Sequence, residues 1–258
     1  MNWRRIVTQG ISDISSLAHV LYKPAPSYRI LMYHAVDGEV IGDRLNIFGI
    51  SKKRFIQHMD ILASESVNIV DLNTKYLSTS SNCLAITFDD GYKDNLHIAA
   101  PILADYNFPF TVFVSTGYVE QESNNFLSPI ELRELASIPN VTIGAHGVKH
   151  VELTKCTDAE LKNELLSSKN YLEDILGKPV TTLGYPHGAV DMRVRNIAQS
   201  VGYEVGTTSY MHTNRQDQDP LLLSRTSILG IDSPRVFKQK IHGYWDWYRL
   251  KQQNPASS

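Results

Sequence analysis

Between Tyr28 and His242, short apolar runs alternate with longer stretches in which apolar residues recur every three or four positions. Short unbroken runs read as buried strands and the periodic stretches as helices. The pattern predicts strands over Tyr28–Tyr33, Val67–Val70, Cys83–Phe88, Phe110–Val114, Val141–Ala145, Thr181–Tyr185, Tyr203–Thr208 and Leu222–Leu229. It predicts helices over Ser51–Ala63, Lys93–Tyr106 with a break near Pro101, Pro129–Ala136, Asp158–Leu176, Val190–Ser200 and Pro234–His242. Ser51, Ser128 and Thr157 stand where N-caps belong, and Gly177-Lys178-Pro179 is a helix stop. A long polar loop is expected from Val114 to Asn125. Alternation of strand and helix about seven times implies a parallel sheet with helical crossovers. The chain therefore reads as α/β, a distorted (β/α) barrel of about seven parallel strands in a single domain.

A different pattern precedes the barrel. Trp3, Ile6, Val7, Ile11, Ile14, Leu17, Ala18 and Leu21 form one apolar face of a helix. Residues 1–27 are thus an amphipathic helix with its lead-in, 28–243 the barrel, and 244–258 a C-terminal helix and a tail, loose from Gln252 onward. The N-terminal helix packs either on its own barrel or on a membrane surface or partner. Arg4 and Arg5 could open a signal peptide, but Thr8, Gln9, Ser12 and Asp13 interrupt the apolar core one needs. The expected address is the cytoplasm, with peripheral membrane association as the alternative.

Composition narrows the function. The 258 residues carry 25 Lys+Arg and 27 Asp+Glu, a formal net charge of −2, scattered along the chain. Such a balance offers no field for gripping a phosphate backbone, so no nucleic-acid partner is expected. Cys83 and Cys156 are too few for a disulfide framework, and no apolar run approaches the ~20 residues of a membrane span.

In a parallel barrel, reactive side chains gather where strands end. After Cys83–Phe88 come Asp89-Asp90-Gly91-Tyr92, and after Val141–Ala145 comes His146-Gly147-Val148-Lys149-His150. Gly184-Tyr185-Pro186-His187-Gly188 follows the next strand, and His34 follows the first. Asp89 and Asp90 could cap the next helix, and in a chain with nine histidines a four-residue spacing can be coincidence. Taken together, one carboxylate and two imidazoles make a three-ligand set with a fourth position for water, the arrangement of a catalytic zinc site. The second carboxylate is then available as a general base.

These residues resemble the motifs of the polysaccharide deacetylases, the NodB-homology group or carbohydrate esterase family 4. Thr87-Phe88-Asp89-Asp90-Gly91 is similar to the first motif, and His146-Gly147-Val148-Lys149-His150 to the second, His-(Ser/Thr)-x-x-His. Tyr185-Pro186-His187-Gly188 is similar to the third, Arg-x-Pro-Tyr-Gly, and Met32-Tyr33-His34 looks like the exopolysaccharide-locus branch. The resemblance implies Asp89 as general base and Asp90, His146 and His150 as ligands of one divalent metal. Zinc is the first choice, with cobalt, nickel or manganese as alternatives. It also implies that His187 offers its backbone N–H to the oxyanion.

Three departures matter. Gly147 replaces the hydroxyl residue between the histidines, and Gly184 stands where the family has the Arg that orients the base. Arg225 could supply that guanidinium from across the barrel, or form an ordinary surface ion pair. The late Leu-x-His motif that usually brings the catalytic acid is missing, since His212 lies in a polar loop and His242 at a helix end. His34 is the first candidate for the acid and His187 the second. Tyr92, Tyr185 and Pro186 are expected at the substrate, and Tyr118 and Phe126 also offer sugar-stacking faces. The implied reaction is N-deacetylation of an amino sugar in a polysaccharide, glycolipid or precursor, a hydrolysis of a carbon–nitrogen bond other than a peptide bond. Removal of another acyl group, such as formyl, from a lipid- or nucleotide-linked sugar is one alternative. An inactive carbohydrate-binding barrel is the other.

Overall fold

The structure is a computed structural model that describes residues 11–13, 26–121 and 124–252. Its scaffold is a set of strands covered on both faces, so their sequences run apolar without alternation. β1 (Tyr28–Tyr33), β3 (Cys83–Phe88) and β4 (Phe110–Val114) are buried at every position. With β2 (Asn68–Ile69), β5 (Val141–Ala145), β6 (Thr182–Gly184), β7 (Val205–Thr207) and β8 (Thr226–Ser227) they form one parallel sheet. Its order is β7-β6-β5-β4-β3-β1-β8, with β2 paired to the start of β3. The sheet curls into a distorted barrel. The chain ahead of β8 meets the β7 edge, where Leu223 N–H donates to the Gly206 carbonyl (2.8 Å) and Thr208 N–H to that of Leu223 (2.8 Å).

Helices α1 (Lys52–Ser64), α2 (Ala100–Asp105), α3 (Thr116–Glu120), α4 (Pro129–Ser137), α5 (Asp158–Leu176), α6 (Met192–Ser200) and α7 (Pro234–Ile241) surround it. Their starts follow the expected chemistry: Ser51 caps α1, and Ser128 and Thr157 make capping boxes with Glu131 and Glu160. Gly177 closes α5 at φ 64°. Register fixes the functional rim. Tyr33 pairs with Phe88, Phe88 with Val112 and Val114 with Ala145, so Asp89 and His146 leave β3 and β5, the two strands that flank β4, at one end of the barrel.

Several expectations need correction. The polar loop after β4 contains α3, held because Thr116 and Gly117 N–H groups donate to the carbonyls of Gly147 and Val148. The Lys93–Tyr106 helix is interrupted near Pro101 as expected, but the part before the break is a π-helical turn, Asn95–Ala99, followed by α2, since Pro101 has no N–H to continue an α ladder. Leu222–Leu229 pairs as a strand only at Thr226 and Ser227. Gln252 is not loose: its Oε1 accepts from Met211 N–H (2.8 Å) and its Nε2 donates to the Ser209 carbonyl (3.2 Å).

The predicted N-terminal helix lies, apart from residues 11–13, outside the described residues, as do 253–258. Those three residues are helical and pack on the barrel, with Trp247 donating to Ser12 Oγ (3.1 Å) and Arg235 and Gln239 to Asp13 (2.7 Å each). No helix among the described residues is long and apolar enough to cross a membrane.

Candidate active site

Backbone geometry turns the first two motifs toward each other. Asp90 (φ 75°) and Gly91 (φ 81°) take left-handed conformations directly after β3, and Gly147 (φ 71°) and His150 (φ 54°) do so after β5. Asp tolerates that region better than most residues. The aspartates do not cap a helix, as the π-helical turn begins only at Asn95. Instead one ligand atom each from Asp90, His146 and His150 falls within 4.8 Å of the other two.

His146 Nδ1 is 2.7 Å from the Gly184 carbonyl, which can only accept. That bond places the proton on Nδ1 and leaves the Nε2 lone pair facing Asp90 Oδ1 at 3.6 Å. His150 Nε2 approaches the same oxygen at 3.1 Å but is not aligned for a hydrogen bond, so Asp90 Oδ1 is a buried acceptor without a donor. An orphaned buried carboxylate oxygen is costly, and a cation between these three atoms would satisfy it. The donor set thus fits a divalent metal. Burial drives the His146 pKa down to about 4, against the pull of Asp89, keeping the ring in its neutral, ligating form. Burial pushes the Asp90 carboxyl up, but His150, His34 and His146 outweigh it and hold the group well below the carboxylate range.

Asp89 has a different partner. Arg225, fully buried, donates from Nη1 to Asp89 Oδ1 (2.6 Å) and from Nη2 to Oδ2 (2.8 Å). Its Nε donates to the Thr208 carbonyl (2.8 Å) and its guanidinium carbon lies 5.5 Å from the Phe113 ring. The surface ion pair considered for Arg225 is therefore excluded. The departure at Gly184 has a steric cause: a Cβ there would meet the Phe113 ring at 2.9 Å and His146 Nδ1 at 3.0 Å. With that approach closed, the guanidinium arrives from the β8 side. Burial pushes the Asp89 carboxyl up, yet Arg225, assisted by His146, holds it below its ordinary value.

These groups open onto a cleft of about 600 Å³ whose walls include His34, Phe48, Tyr118, His187, Ser209 and Gln252. His34 Nδ1 is buried without a partner, and its ring leans on Phe48 at 4.8 Å. His187 is exposed at φ 57°, its Nε2–H donating to the His150 carbonyl (3.1 Å).

The expected substrate contacts are displaced. Tyr185 is wholly buried in the core, Pro186 is buried beneath Gly147, and neither lines the cleft. Tyr92 is buried too, its hydroxyl accepting from Ile41 N–H (2.9 Å) and its ring stacked on Phe126. Phe126 in turn lies behind Tyr118, with ring centroids 4.2 Å apart. The aromatic faces on the cleft are therefore Tyr118 and Phe48, and nothing in the periodicity singled out Phe48. His212 and His242 line no part of it, and His242 contacts Glu65 (3.1 Å).

A parallel α/β barrel with an Asp-His-His cluster and an arginine-paired aspartate at one rim has the architecture of a deacetylase acting on carbohydrate. The polysaccharide deacetylase profile matches residues 77–206, half of the chain, and the chain belongs to that metal-dependent family. YxkH of Bacillus subtilis (strain 168), which carries the same family name, is 28% identical over 212 residues, 80% of this chain and 72% of that protein. The poly-beta-1,6-N-acetyl-D-glucosamine N-deacetylase of Staphylococcus aureus is 26% identical over 132 residues. This covers 47% of the chain and 46% of the Staphylococcus protein, so the chain spans less than half of that relative's length. Among solved structures, the Streptococcus pyogenes deacetylase PplD, in complex with acetate, superposes with TM-score 0.75 at 25% identity, covering 84% of this chain and 99% of that one. IcaB of Ammonifex degensii shares the fold, with TM-score 0.73 at 21% identity over 86% and 97% of the two chains.

Proposed function

We propose that this protein removes the N-acetyl group from N-acetylglucosamine units of an exopolysaccharide, with one zinc ion held by Asp90, His146 and His150. The observation that carries the reading is the pair of carboxylates with opposite partners: Asp90 faces two imidazoles and Asp89 a buried arginine. The likeness to the Staphylococcus aureus enzyme supports the choice of sugar. A divalent ion held by Asp90, His146 and His150 would supply Lewis acidity toward the acetamide carbonyl and toward the attacking water.

The remaining work belongs to side chains. Asp89, kept ionised and oriented by Arg225, accepts the proton of the attacking water. The backbone N–H of His187, in the positive-φ turn Pro186–Gly188, donates to the oxyanion as it forms. Collapse of the tetrahedral species breaks the C–N bond, and the leaving nitrogen needs a proton. His34 delivers it, since its ring lines the same cleft, whereas the His187 Nε2–H is engaged by the His150 carbonyl. The products are acetate and a glucosamine unit.

Acetate release from β-1,6-linked N-acetylglucosamine oligomers, with and without zinc, tests this reading. Zinc-dependent acetate supports it. Oligomer binding with no acetate at any metal loading makes the chain a carbohydrate-binding barrel instead.

A further inference from the structure

Glu164 lies on α5, outside the motifs that define the site, and it is 5% exposed. Its Oε2 accepts from the backbone N–H groups of Val148 (2.8 Å) and Lys149 (2.9 Å), two of the three residues that separate His146 from His150. The other side of the same loop is held by backbone and hydroxyl groups. Ser115 Oγ donates to the His146 carbonyl (3.0 Å), Thr116 N–H to that of Gly147 (3.1 Å) and Gly117 N–H to that of Val148 (2.9 Å). Against these the α5 face sets one buried carboxylate.

A buried carboxylate is expensive unless donors satisfy it, and two amide N–H groups converging on one oxygen make a small anion cradle. The loop has its own cost, since His150 sits at φ 54°, a conformation that persists only where surroundings over-determine it. Gly147 completes the arrangement. At φ 71°, a Cβ on residue 147 would come within 3.2 Å of Glu164 Oε2 and 3.4 Å of Pro186 Cγ. The side chain that family members carry between their histidines is therefore strained here by the backbone conformation, and it would require the carboxylate to give way by a few tenths of an ångström.

We infer that Glu164 is a positioning residue for the metal centre: it grips the loop between the two histidines and thereby aims His150 Nε2 at Asp90. It exchanges a local hydroxyl for a latch from a neighbouring helix, with Gly147 as the cleared space that lets the latch close. The inference rests on the proposed Asp90-His146-His150 metal site, and its test reads metal affinity apart from turnover.

Zinc dissociation constants are measured by competition with a chromophoric chelator for the full chain and for Glu164→Ala and Glu164→Gln. Turnover is measured at saturating zinc. Loss of an outer-shell partner costs about 10–100-fold in metal affinity, so Glu164→Ala is expected to bind zinc more weakly by that factor, with turnover at saturating zinc within a few-fold of the parent. Glu164→Gln keeps an oxygen that can accept both N–H groups and is expected to recover most of the affinity. A Glu164→Ala protein with parental affinity overturns the inference, and so do Ala and Gln variants that are equally weak. If Glu164→Ala does not fold, Glu164→Asp, whose carboxylate stops a methylene short of the loop, replaces it with the same two outcomes. A parent chain that binds no zinc defeats the metal reading itself. A parent that binds zinc beside an unaffected variant defeats only the role of Glu164.

Discussion

Replacing Arg225 with Met removes the guanidinium while keeping much of the side-chain volume. Both bonds to Asp89 are lost, together with the bond to the Thr208 carbonyl, and Asp89 stays buried at 3% exposure without its cation. Breaking a buried pair by deleting one partner costs about 3–5 kcal/mol. With roughly 2–4 °C per kcal/mol for a chain of this size, Tm should fall by roughly 6–20 °C. The pH dependence identifies the cause. Arg225 opposes burial and keeps the Asp89 pKa below its unfolded value, so in the parent this carboxylate stabilises above that value, and the contribution is lost as pH falls through the folded pKa. In the variant burial acts unopposed by the arginine, the pKa moves up, and the folded state prefers the protonated acid. The stability deficit should therefore be largest at neutral pH and shrink as pH falls toward the unfolded carboxylate value. Turnover should follow, with the acid limb of the kcat/KM profile moving to higher pH. Arg225→Lys keeps the charge without the two-pronged geometry and should fall between. Differential scanning fluorimetry from pH 4 to pH 8, paired with acetate release over the same range, makes the comparison. A deficit that is constant with pH, beside an acid limb that stays put, would show that Arg225 merely ties the seam between β7 and β8.

Other perturbations separate the remaining roles. Asp90→Ala, His146→Ala and His150→Ala should each reduce zinc affinity severely in equilibrium dialysis, and parental occupancy in any of them removes that ligand from the set. Asp89→Asn, nearly isosteric but unable to take a proton, should keep zinc and lose about 10²–10⁴ in turnover; activity within a few-fold of the parent leaves Asp89 no role as base. His34→Ala should keep zinc, lose roughly 10²-fold in turnover and flatten the alkaline limb, while near-normal turnover beside an inactive His187→Ala moves the acid role to His187. Burial lifts the Asp94 carboxyl to about 7, so its charging costs stability as pH rises from the unfolded carboxylate value through 7. Asp94→Asn should accordingly raise Tm at pH 8 and leave it unchanged at pH 4.

Much of this was legible from residue pattern. β1, β3, β4 and β5 match their apolar runs residue for residue, because a strand covered on both faces is predominantly apolar along its length. The later strands are shorter than their pattern suggests: within Leu222–Leu229 only Thr226 and Ser227 form a strand, and Leu223 makes a single bridge to the β7 edge at the barrel seam. Asp89, Asp90, His146 and His150 were visible because residues that follow parallel strands must gather at one rim. Tyr92, Tyr185 and Pro186 misled because position at that rim says nothing of direction, and a neighbouring residue can point inward just as well. Glu164 carried a signal that went unread. It falls on the stripe of Leu161, Leu165, Ser168 and Leu172, the buried face of α5, where a carboxylate has no place without a partner. Phe48 and Gln252 had no signal at all, since a loop and a chain end reach the cleft only through tertiary folding.

The central claim is that the Asp90-His146-His150 cluster binds a divalent ion and that Asp89 uses this centre to hydrolyse an acetamide. The most direct test titrates zinc into metal-stripped protein while acetate release from β-1,6-linked N-acetylglucosamine oligomers is followed in the same samples. Acetate production should rise in proportion to bound zinc and level off near one ion per chain, and His150→Ala should bind little zinc and release little acetate at the same concentrations. Acetate released at an undiminished rate by metal-stripped protein, or tight binding of one zinc ion with no acetate formed, would contradict it.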